Sequence, residues 1–224
     1  DRIPGYTDIY GDWSDTRVVF VTYGGTPYPG QELDVWEEAN MGDPQTLVDF
    51  VSFSISNYPA EHYALILWDH GGGLSGVCWD DTNGDNLNIH EIRNALESVY
   101  QELGCKIDIM GFDACLMGMM EIAYQLRDYV DYVVFSQEVE PGDGWPYDDI
   151  LSELVANPDM QPYELSILMA EKYMASYNGG SQGYYSGATQ SAINVSCLTT
   201  VVFRKLDRLV GELLRNYQNY SSQI

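Results

Sequence analysis

The chain predicts an α/β fold with a mainly parallel central sheet flanked by helices. Four well-separated apolar runs rich in β-branched and aromatic residues read as strands: RVVFVTY (17–23), YALILW (63–68), KIDIMGF (106–112) and YVVFS (132–136). Segments of helical periodicity lie between them, long enough for the right-handed crossovers that join parallel strands. There is no internal repeat or linker, and 224 residues at 45% hydrophobic suit one substantial core. Residues 1–224 are therefore read as a single domain.

In order along the chain, Asp43-Pro44 caps and opens the first helix, with Leu47, Phe50, Val51 and Ile55 at helical spacing. The second, IHEIRNALESVYQELG, carries Ile89, Ile92, Leu96, Val99 and Leu103 as one stripe and stops at Gly104. The third is expected from about Leu116 to Arg127. Further on, 161–177 reads as a helix, GGSQGYYSGATQ as an exposed turn-rich segment, SAINVS as a short strand and 198–217 as a long helix.

Ten Lys and Arg against 34 Asp and Glu leave a formal charge of -24. Such a field repels phosphate backbones and anionic lipid, so nucleic acid is excluded as a natural partner and cationic ligands are favoured. No 18-residue apolar segment predicts stable membrane insertion. DRIPGYTD at the start carries no apolar leader, which a mature secreted protein would share, so the compartment stays open. Cys78, Cys105, Cys115 and Cys197 lack CxxC spacing and disulfide-scaffold density, although one disulfide remains open.

The chemistry gathers where two of these strands end. In a parallel sheet the strands exit at one edge, where ligands bind. YALILW ends just before His70 and IDIMGF just before Cys115. One crossover helix separates them, which favours adjacent strands about 4.8 Å apart. That arrangement suits a Cys–His pair, in which imidazole moves a proton and thiolate attacks a carbonyl. Cys115 is expected to sit at a helix start whose amides favour a thiolate. The backbone amides of Gly71 and Cys115 are candidates for an oxyanion hole, and Gly71, Gly72 and Gly73 add no side chains to obstruct it. The bland readings are a core cysteine, a surface histidine and a tight glycine turn.

Asp113 stands two residues before Cys115, and Asp143 lies in EPGDGWPYDD, the loop after the next strand. Either carboxylate suits a basic substrate side chain, against readings as a turn cap and a solvated turn. The loop DDTNGDNLNIHE puts Asp81, Asn83 and Asp85 at EF-hand positions 1, 3 and 5, but Asn86 and Ile92 stand where Gly and Glu are needed. The EF-hand fails and a looser calcium site stays open. A His90-Glu91 zinc site lacks a third ligand.

NMGDPQTLVDFV, YALILWDHGGG, IDIMGFDACLMGMMEIAYQL and EPGDGWPYDDIL together resemble the clostripain family of cysteine peptidases, with weaker likeness around SAINVS. The resemblance implies a caspase-like three-layer sandwich. It implies His70 as catalytic histidine, Cys115 as nucleophile, Asp113 as the acid lining the S1 pocket and Asp143 as a second acidic contributor. It also implies cleavage after Arg or Lys in protein or peptide substrates, no required cofactor with calcium in some members, and a secreted or cell-surface location. Members often mature by self-cleavage after a basic residue in the loop following the histidine, yet no Lys or Arg occurs from Gly71 to Ile92. The family domain usually begins with a further strand ahead of the region matching DRIPG, so the domain is expected to lack that strand. SQE (136–138) also replaces the family's usual double glutamate.

The expected function is a cysteine endopeptidase working through a His70–Cys115 dyad. The alternatives are a binding-only domain holding basic peptides in an acidic cleft, and a metal-dependent hydrolase. Oligomeric state is not legible.

Overall fold

The computed structural model describes residues 15–22 and 32–221; the opening DRIPG and Tyr23 lie outside them. The first apolar run departs from expectation. It forms β1 (Thr16–Val19), which pairs antiparallel with β2 (Glu32–Trp36) in a two-stranded sheet of its own. Only Val18 of β1 is buried, and Arg17 spends its guanidinium on Asp15 and Glu32. A strand with so little apolar surface to hide has no driving force to enter the core.

α1 (Pro44–Asn57) begins where Asp43 accepts the Gln45 amide at 2.8 Å and Pro44 presets the first turn. β3 (Ala64–Trp68) follows. The segment after it contains a hairpin that periodicity did not show, β4 (Val77–Asp80) with β5 (Asp85–Leu87). α2 (Ile89–Leu103) opens with a capping box. Asn88 accepts the His90 and Glu91 amides, Glu91 returns the bond to the Asn88 amide, and Gly104 closes the helix. Glu91 is thus a capping residue rather than half of a zinc site.

β6 (Ile107–Asp113) and β7 (Val130–Phe135) fall where expected, but α3 between them is only Met120–Leu126. α4 (Tyr147–Ala156), which periodicity also missed, precedes α5 (Pro162–Ser176). β8 (Asn178–Gly180) and β9 (Gly183–Tyr184) form a small hairpin within the turn-rich segment. β10 (Ser191–Asn194) leads through α6 (Val195–Cys197) and a wider helical turn, Leu198–Phe203, into α7 (Arg204–Tyr220).

The central sheet runs β10-β7-β6-β3, with β3, β6 and β7 parallel and β10 antiparallel beside β7. Alternation splits its core into two layers. Leu65, Leu67, Met110, Phe112, Val133 and Phe135 pack with α1, α2 and α3 on one face. Ile109 and Val134 pack with Trp145, Ile150, Leu165, Met169 and Tyr173 from the α4–α5 side. Gly111 shares the second face, and a Cβ there would stand 3.0 Å from the Trp145 ring. The period of two then puts Asp113 on the same side, under the α4 loop. The layering is helix, sheet, helix.

Candidate active site

Parallel pairing of β3 with β6 sets Trp68 opposite Asp113, and the Asp69 amide donates to the Asp113 carbonyl at 3.4 Å. His70 and Cys115 each follow two residues beyond that pair, at one edge of the sheet. His70 is exposed and Cys115 half-buried. Of the three histidines, His62 lies at the opposite end of β3, 2.9 Å from Asp108, and His90 begins α2. His70 is the one delivered to the cysteine edge.

The glycine loop is held by its own backbone bonds. Gly71 bridges to Val77, the Gly72 amide donates to Gly76 at 2.9 Å, and Gly73–Ser75 forms a short 3-10 turn. A Cβ on Gly71 would run into the Cys115 carbonyl oxygen and stand 3.0 Å from the Ala114 Cβ. Glycine is needed there because two backbones pass in contact.

Cys115 is not at a helix N-terminus, in contrast to the sequence expectation. α3 starts five residues later, and Cys115 sits in a tight turn whose next residue, Leu116, adopts φ 63°. Cross-bonds outcompete the helix: Leu116 donates its amide to the Glu138 carbonyl at 3.2 Å and Gly118 its amide to the Ser136 carbonyl at 2.6 Å. The turn is thereby tied to the loop leaving β7. The polar group at the Cys115 sulfur is the Glu140 amide, which donates to Sγ at 3.3 Å, while the thiol lies 3.8 Å from the Glu140 carbonyl. These two contacts tie the sulfur to the loop after β7 rather than to a helix start.

Asp113 is buried, and its Oδ2 accepts the Tyr147 hydroxyl at 2.8 Å and the Trp145 amide at 3.2 Å. Gly144, at φ 63°, presses against it; a Cβ would come within 2.9 Å of the carboxylate. Burial pushes the Asp113 carboxyl above its ordinary range, while hydrogen bonds from Tyr147, Glu140 and Trp145 pull the other way. Glu140 is the residue that sequence reasoning missed. It is 8% exposed, and burial followed by the Asp113 carboxyl pushes it up to about 9. It stands in the same EPGDGWPYDD loop that drew attention to Asp143, so a signal was present.

Asp143 itself is exposed. Its carbonyl accepts the Gln182 side chain at 3.0 Å, and its carboxylate is not among the hydrogen-bond partners of Asp113. It does act on the same neighbourhood: burial first, then the charge of Asp143, raises the Tyr177 hydroxyl to about 12.

The acidic loop is occupied with its own fold. Asp80 accepts amides from Met41, Thr82 and Asn83, which outweigh the opposing effect of burial and lower its carboxyl pKa. Asn83 donates to Glu38 at 2.8 Å and Asp85 accepts from Asn40 at 2.7 Å. Among the described residues no group of three or more His, Cys, Asp or Glu could hold a metal ion. Arg93, the first basic residue beyond the glycines, lies inside α2. All four cysteines are free.

A mainly parallel sheet between helical layers, with a histidine and a cysteine at one edge, is the frame of the caspase-like folds. The chain belongs to the clostripain family, whose model matches residues 30–224. Clostripain of Hathewaya histolytica is 35% identical over 187 residues, which are 70% of this chain and 35% of that protein. A secreted C11 cysteine protease from Bacteroides thetaiotaomicron, solved with an irreversible peptide inhibitor, shares 27% identity at TM-score 0.64, over 74% of this chain and 49% of its own. An inactive zymogen C11 protease from Parabacteroides distasonis shares the fold at TM-score 0.58 and 23% identity, over 74% and 44%. The chain thus spans about a third of the curated relative and half of the first of these structures. Among the described residues no helix is long and apolar enough to cross a membrane.

Proposed function

We propose that the chain is the peptidase domain of a secreted cysteine endopeptidase that cleaves after Arg or Lys. The observation that carries this reading is the β3–β6 register, which delivers His70 and Cys115 to one sheet edge with Gly71 against the Cys115 peptide. Cys115 Sγ, its proton taken by the His70 imidazole, attacks the scissile carbonyl. The Gly71 and Cys115 amides stabilise the oxyanion. The imidazolium returns the proton to the leaving amine, and water, deprotonated by His70, then hydrolyses the thioester. Asp113, in a dry setting, is the S1 acid that attracts the cationic side chain, with exposed Asp143 contributing charge from the rim. Family membership and the -24 formal charge support the same preference.

These steps call on no cofactor, and the acidic loop is assigned a structural role through Asp80, Asn83 and Asp85. The test is a peptide panel with Arg, Lys, Asp or Leu at P1, run on wild type, Cys115→Ala and His70→Ala. Turnover restricted to Arg and Lys and lost in both variants is expected. Full turnover by Cys115→Ala would overturn the nucleophile. Binding of Arg peptides without hydrolysis would identify a binding-only domain. Activity lost with EDTA and restored by metal would identify a metal-dependent hydrolase.

A further inference from the structure

The polar interior beside Cys115 holds more acid than one cation-binding carboxylate accounts for. Asp113 at the end of β6 and Glu140 in the loop after β7 are both buried, both accept hydrogen bonds from Trp145, and each shifts the other's carboxyl. Glu140 Oε1 accepts the Trp145 indole N–H at 3.4 Å, but its buried Oε2 has no hydrogen-bond partner among the described residues. The Tyr173 hydroxyl from α5 is likewise buried without a partner. It lies within electrostatic reach of Glu140, Asp113 and Cys115. Glu140 Oε2, the Tyr173 hydroxyl and both amide atoms of the neighbouring Gln190 are thus buried polar atoms left without partners among the described residues, next to Asp113.

We propose that Glu140 is a further specificity-determining residue: with Asp113 it forms one acid pair that shares a proton in the empty site and yields it to solvent when a guanidinium or ammonium binds. This rests on the Arg/Lys reading of the same site. Two carboxylates buried together cannot both ionise cheaply, so the empty pair carries one proton. A cation supplies the missing positive charge: the carboxyl O–H bond breaks, the proton leaves to water, and two carboxylates face one cation. A neutral side chain cannot displace the proton, and an acidic one meets a negative charge. Selectivity is therefore larger than a single surface carboxylate would give.

Among the described residues, the groups facing Glu140 include no competing cation. They are Asp113, Trp145, Gln190, Tyr147 of α4, and Tyr173 and Tyr177 of α5. The three tyrosine hydroxyls are all raised, chiefly by burial, and stay neutral through physiological pH. The proton shared by the two carboxyls is the one a ligand would displace.

The test is calorimetry with agmatine, whose guanidinium tail copies a P1 arginine, at about pH 7 in two buffers of different ionisation enthalpy. Release of close to one proton per agmatine is expected; binding with no proton release overturns the proposal and leaves the Arg/Lys reading standing. In parallel, the ratio of kcat/KM for P1 arginine over P1 citrulline is followed with pH, a ratio that cancels the titration of His70 and Cys115. It should climb by up to roughly tenfold per pH unit below the ionisation of Glu140. In Glu140→Gln the climb toward the Glu140 ionisation should be lost, because one ionisable member has gone. A wild-type ratio that is flat and high sinks the acid pair alone. No agmatine binding, or no arginine preference at any pH, sinks the Arg/Lys reading with it. Because the proton count is read on wild type, a misfolded Glu140→Gln does not prevent a decision.

Discussion

A buried acid is a liability as well as a tool, and Glu140 shows how the two are linked. Its folded pKa is raised to about 9, so the folded chain holds a proton there that the unfolded chain has already lost. Between the ordinary glutamate range and about pH 9 the folded state binds more protons, and its stability falls as pH rises. Glu140→Gln removes that slope. Thermal melts of the variant should match wild type near pH 5 and exceed it near pH 8. Equal melting temperatures at both would argue against a buried protonated acid.

Gly71 offers a second test at the same scale. Gly71→Ala drives a methyl into the Cys115 carbonyl and must shift one of the two backbones. The expected loss is on the order of a hundredfold in kcat, the scale of a misplaced oxyanion donor. KM for the arginine substrate should change little, because Asp113 is untouched. His70, Gly71, Asp113 and Cys115 were proposed from the sequence because each stands in a short motif at a strand end. Glu140 was missed because the groups that surround this carboxyl are distant in sequence, Asp113 at the end of β6 and Tyr173 of α5 among them.

Among the elements, the turn carrying Cys115 is the informative failure. DACLMGMMEIAYQL reads as helix from Leu116, yet the amides of Leu116 and Gly118 bond to the loop after β7 and delay α3 to Met120. Local propensity cannot register partners 22 and 18 residues away. Leu116 bears the cost at φ 63°. A branched residue should tolerate that conformation less well than asparagine, so Leu116→Val should be less stable than Leu116→Asn by about 1 kcal/mol in urea unfolding. The cap of α2 was partly legible, since Asn88 stands three residues before Glu91 at the start of the stripe. Asn88→Ala should cost about 1 kcal/mol by removing that capping box. The β4–β5 hairpin was hidden behind the calcium-like spacing of the acidic loop, whose oxygens serve backbone amides instead.

For the whole molecule, the central parallel strands were readable because each apolar run is short, branched and separated by a helical stripe. The first run belongs elsewhere because only Val18 is buried, and no count of apolar letters shows that. The charge of -24 acts over the entire surface. It should speed encounter with cationic peptides, so their kcat/KM should fall severalfold from ~50 to ~500 mM salt while that of a neutral P1 substrate barely moves. A matched fall for both would assign the effect to something other than steering.

Cys115, one of four free cysteines, is the proposed nucleophile, directed by a cation beside Asp113. The competing thiols differ in kind. Burial, then Asp69, pushes Cys78 up to about 12; burial, then Asp108, raises Cys105; Cys197 is exposed on the surface. The decisive measurement is mass-spectrometric mapping after treatment with thiol-reactive peptide inhibitors bearing Arg or Leu at P1. One adduct is expected, on Cys115, formed far faster with Arg and abolished in His70→Ala. An adduct on Cys197, or labelling of Cys115 indifferent to P1, would contradict it.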